Sequence, residues 1–71
     1  MKVEITDAKL LTDLVAALKR GGCSAHATTR RACRVVHPLA TSESEALLEV
    51  AFFVRAWQLR HPGVDATVTT A

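Results

Sequence analysis

Two hydrophobic periodicities alternate along this chain, and their order constrains the fold more than any single residue does. Residues 2–6, Lys2-Val3-Glu4-Ile5-Thr6, repeat with a period of two. Residues 7–20 repeat with a period near 3.6. Two more alternating runs follow at 23–28 and 31–37, then a second helical run at 42–60 and a last alternating run at 64–70. Alternation places successive side chains on opposite faces of a strand, whereas the longer period gathers them on one helical stripe. The chain therefore reads β-α-β-β-α-β.

Turn and cap chemistry marks most of the boundaries. Thr6 or Asp7 offers an oxygen to the first helical turn, and Lys19 and Arg20 suit its negative end. Gly21-Gly22 supplies a left-handed stop. Leu11, Leu14 and Leu18 centre the apolar stripe of this helix, opposite Lys9, Thr12, Asp13, Lys19 and Arg20. The hairpin turn falls near Thr28-Thr29-Arg30, without the Asn-Gly or Gly-Gly that marks the tightest turns. Pro38 closes the third strand because it has no amide to donate. Ser42 followed by Glu45 reads as a capping box, in which serine and glutamate side chains each satisfy an amide at the other's position. His61-Pro62-Gly63 stops the second helix.

This order is that of the split βαβ unit, which implies an α+β, ferredoxin-like plait over residues 1–71 as a single domain. It consists of an antiparallel four-stranded sheet in the order 4-1-3-2, with both helices on one face. The covered face then bears Val3, Ile5, Cys33, Val35, Ala66 and Val68, together with Cys23, Ala25 and Ala27 from the hairpin. The open face bears Lys2, Glu4, His26, Ala32, Arg34, Val36, Thr67 and Thr69, and has no aromatic residue.

At 71 residues and 49% hydrophobic composition the chain is too apolar for disorder, yet short enough to bury only about 60% of its unfolded surface. Association is a common remedy for so thin a core. The longest apolar run, 50–54, is far short of the ~20 residues that span a bilayer. Glu4, Asp7 and Asp13 break up the N-terminal region, so no signal peptide or membrane anchor is expected. Two cysteines without a secretion signal read as reduced thiols of a cytoplasmic protein.

Little in the pattern points to a reaction. Cys23-x2-His26 and Cys33-x3-His37 have the composition of a zinc site, but the spacing between the pairs is short, and alternation sends residues 23 and 26 to opposite faces. The expectation is no metal and no cofactor, with Cys23 and Cys33 as buried hydrophobes. The cysteines lack the Cys-x-x-Cys spacing of a redox pair. The three histidines fall in three separate local contexts, and no nucleophile has a base at readable spacing. A non-enzymatic role follows. Heavy-metal carrier domains of this element order place Cys-x-x-Cys after the first strand, where this chain has Thr6-Asp7-Ala8-Lys9.

Two surfaces remain as candidates. Arg30, Arg31 and Arg34 lie in a stretch with no acidic residue between Asp13 and Glu43, which offers contacts to nucleic acid or another polyanion. The sheet lacks the aromatics on which RNA bases stack, so a solvated basic edge is the simpler reading. On the second helix, Leu47, Val50, Val54 and Trp57 form the core stripe, while Leu48, Phe52 and Leu59 lie on nearly the opposite side of the wheel. Glu45, Glu49, Arg55 and Arg60 border that second stripe. It marks an interface, and a homodimer or a protein partner is expected on it.

Overall fold

The computed structural model describes residues 1–70. Strands β1 (Lys2–Ile5), β2 (Ser24–Ala27), β3 (Ala32–Val36) and β4 (Ala66–Thr69) form one antiparallel sheet. Its order is β2-β3-β1-β4, or 4-1-3-2 from the opposite edge, with β1 and β3 central. The architecture is α+β, with helices α1 (Leu11–Arg20) and α2 (Glu43–Leu59). Both helices pack on one face. Leu11, Leu14 and Leu18 of α1 and Val50, Val54 and Trp57 of α2 share a core with Val3, Ile5, Cys23, Ala25, Cys33 and Val35. Ala66 and Val68 are only partly buried against it, because β4 is an edge strand.

The ends of the elements depart from the sequence reading in specific ways. The first helix does not run unbroken from residue 7. The Asp7 carboxylate accepts a hydrogen bond from the Lys9 amide at 3.0 Å, and the Leu10 amide bonds to the Asp7 carbonyl. That tight pattern makes Ala8–Leu10 a 3-10 turn, and the α-helix begins at Leu11. Gly22 then ends the helical segment with φ of 95°, a conformation that favours glycine. At α2, Ser42 Oγ accepts from the Glu45 amide at 3.1 Å, but Glu45 does not return to the Ser42 amide. Its carboxylate reaches one residue further, to the amide and hydroxyl of Thr41.

The hairpin turn occupies Thr28, Thr29, Arg30 and Arg31. Thr28 and Thr29 amides both donate to the Ala32 carbonyl, and Thr29 Oγ1 accepts from the Arg31 amide. Threonine hydroxyls thus do the local work that a glycine turn does elsewhere, and no residue of this turn has positive φ. The loop encloses Ala32, which is buried rather than open, though apart from the main core. Ala27, assigned to the covered face, is exposed at the strand end. Strand β4 starts at Ala66 rather than Val64. The Val64 amide bonds to the His61 carbonyl and its own carbonyl accepts from Gln58 Nε2, so this residue closes the helix end instead of joining the ladder.

Candidate functional site

Helix α2 has two apolar faces, and only one has a partner among the described residues. Ala46, Val50, Val54 and Trp57 point into the core. The stripe at the opposite angle holds Leu48, Phe52 and Leu59, which are 73%, 69% and 74% exposed. Neither α1 nor the sheet covers them. Ala51, Arg55 and Ala56 on the same side are exposed as well. The helix is therefore placed by its inner face and displays three large hydrocarbon side chains along its outer one. Phe52 meets Phe53 edge-on at 6.1 Å between ring centroids and otherwise stands in solvent.

The basic residues do not gather. Arg30 and Arg31 line a shallow depression with Thr28, Thr29 and Glu4 at the hairpin end of the sheet. A second depression beside it is lined by Arg31, Glu4 and Asp65, among others. The carboxylates there partly cancel the arginine charge. Arg34 is on a different rung, where the register aligns it with His26 on β2 and Lys2 on β1. Lys2 in turn lies 3.5 Å from Glu4.

Two histidine–carboxylate pairs form that the sequence spacing did not reveal. His37, just after β3, contacts the Glu49 carboxylate of α2 through Nε2 and lies against Phe53. His61 stacks on Trp57 at 4.3 Å between ring centroids. Its Nδ1 is 2.9 Å from the Trp57 carbonyl and its Nε2 is 3.4 Å from Asp13 Oδ2. That same carboxylate oxygen accepts a hydrogen bond from Trp57 Nε1 at 2.7 Å. Stacking of His61 on Trp57 is readable from their i, i+4 spacing. The role of Asp13 requires knowing how α1 packs on α2. Both pairs tie elements together, and neither lines one of the depressions.

Cys23 and Cys33 are buried and unbridged. The ladder sets Cys33 opposite Ala27, while Cys23 precedes β2 at the other end of the hairpin. Four residues of strand, about 13 Å, separate the two levels. His26 is exposed on the open face, away from Cys23. Among the described residues no three histidine, cysteine or acidic side chains come together as a metal site. No helix among them is long and apolar enough to cross a membrane. Comparison of the chain with protein-family models, with curated proteins and with solved structures gives no match.

Proposed function

We propose that this chain is a small non-enzymatic interaction module, built on a ferredoxin-like plait, that self-associates through the outer face of α2. The 4-1-3-2 strand order and the placement of both helices on one side of the sheet support the fold assignment. The exposed row Leu48, Phe52 and Leu59 carries the functional one. Three large apolar side chains aligned on a rigid helix keep hydrocarbon in water at a cost that association removes. Their borders are charged in both signs, as at the rim of a specific interface. The histidines support a non-enzymatic reading, since two of the three are engaged in holding elements together. A polyanion role for Arg30, Arg31 and Arg34 has weaker support, because Glu4 shares the depression with the first two and Arg34 stands apart.

Sedimentation equilibrium at micromolar concentration tests this reading. The wild-type protein is expected to self-associate and Phe52→Ala to do so less. A strict monomer whose Phe52→Ala variant is no more soluble and no less stable would overturn it.

A further inference from the structure

The exposed face of α2 is close to symmetric about its own midpoint. From residue 48 to 59 the helix reads Leu-Glu-Val-Ala-Phe-Phe-Val-Arg-Ala-Trp-Gln-Leu. About a point between Phe53 and Val54, Leu48 mirrors Leu59, Ala51 mirrors Ala56, and Phe52 mirrors Arg55. Burial follows the same symmetry. Both leucines, both alanines, Phe52 and Arg55 are exposed, while Val50 and its mirror Trp57 are buried. An isologous antiparallel contact pairs each residue with its mirror on the partner, so it needs these pairs to be complementary: leucine on leucine, alanine on alanine, and a ring beside a guanidinium.

Charge is segregated along the same helix. The N-terminal part of α2 carries Glu43, Glu45 and Glu49, Arg55 stands in its C-terminal part, and Arg60 is its C-cap residue. At 100° per residue, Glu45, Glu49 and Arg60 fall on one flank of the apolar stripe. A two-fold axis through the midpoint brings that flank onto its own copy, reversed. Arg60 of one chain then stands between Glu45 and Glu49 of the other, within about 3 Å along the helix axis of each. Parallel packing would instead set this flank and its copy on opposite sides of the contact, where these charges do not meet.

Resting on the association reading above, we infer that the occupant of this face is a second copy of the chain, packed α2 against α2 in antiparallel register. Leu48 of each chain meets Leu59 of the other. The two Phe52 rings adjoin across the axis, and each Arg55 guanidinium lies at the level of the partner's ring, a favourable cation–aromatic arrangement. Ala51 and Ala56 flank the contact and let the helices approach to the usual 8–10 Å spacing. One helix face is a small interface, in the size class of weak or transient contacts rather than of an obligate assembly.

The test mixes Leu48→Cys protein with Leu59→Cys protein in a glutathione redox buffer. Antiparallel register brings residue 48 of one chain to residue 59 of the other, so the mixed disulfide should exceed either homodisulfide about tenfold. Prevailing 48–48 and 59–59 disulfides, or a statistical mixture, would overturn the register. A second variant leaves the leucines in place. Arg60→Glu should weaken self-association about fivefold by turning attraction into repulsion at both ends of the contact. Unchanged or tighter association would contradict the antiparallel arrangement. A wild-type protein that self-associates but fails these two tests refutes the register alone, whereas a wild-type monomer refutes the association reading as well.

Discussion

The two cysteines show how far a single residue's environment can be read from its neighbours. Alternation placed both thiols inward beside Ala25 and Val35, and both are buried and free. Burial pushes each thiol above its ordinary value of 9.0, because the thiolate loses hydration. For Cys23 the nearby Glu49 carboxylate adds to the rise. For Cys33 a hydrogen bond with the Val3 backbone opposes it without reversing it. The sign for stability follows from linkage. Below about pH 9 the thiols are protonated whether the chain is folded or not, whereas above it the unfolded chain releases protons first. Stability should therefore be fully present below that pH and fall as pH rises through the raised folded values. Urea denaturation between about pH 8 and about pH 10 measures this, and Cys33→Ala should flatten the fall while costing about 1 kcal/mol of packing. Native protein should also resist a thiol reagent until denatured. Rapid native labelling, or the same alkaline slope with and without Cys33, would count against this account. The influence of Glu49 on Cys23 could not be read from sequence, because it depends on where α2 lies over the hairpin.

At the scale of elements, cap and stop signals were the legible part and links between helices were not. Ser42 caps α2 as its sequence context suggests, and Gly22 supplies the left-handed stop after α1. The Ala8–Leu10 turn was hidden because Asp7 can cap a 3-10 turn as readily as an α-helix. The hairpin turn was equally indistinct, since threonine hydroxyls set it rather than a glycine. The join between α1 and α2 depends on Asp13, whose carboxylate holds Trp57 Nε1 at 2.7 Å and faces His61. Trp57 is 1% exposed, so removing its acceptor leaves a donor with little access to water. Asp13→Ala should cost about 1–3 kcal/mol, and Asp13→Asn less because an amide oxygen still accepts. Fluorescence of the single tryptophan during urea unfolding reports both the midpoint and the change around the indole. Wild-type midpoints in both variants would mean that the indole hydrogen bond contributes no net stability.

For the whole molecule, the alternation of periods was enough to imply an antiparallel four-strand sheet with two helices packed together on it. What it could not supply was the pairing of distant side chains, such as His37 with Glu49, because those contacts follow from packing angles rather than periodicity. The outer stripe of α2 was legible for the opposite reason. A helix apolar on two opposed sides can bury only one of them against a single layer, so Leu48, Phe52 and Leu59 stay exposed. For the proposed association the alternative to the helix is the open sheet face, which is mostly polar, with Val36 its exposed large apolar residue. Amide spectra of isotope-labelled protein recorded on dilution from millimolar to micromolar concentration decide between them directly. Shifts concentrated at Leu48, Ala51, Phe52, Arg55, Ala56 and Leu59 are the expected result. Shifts confined to Lys2, Glu4, His26, Arg34 and Thr67, or no concentration dependence at all, would contradict it.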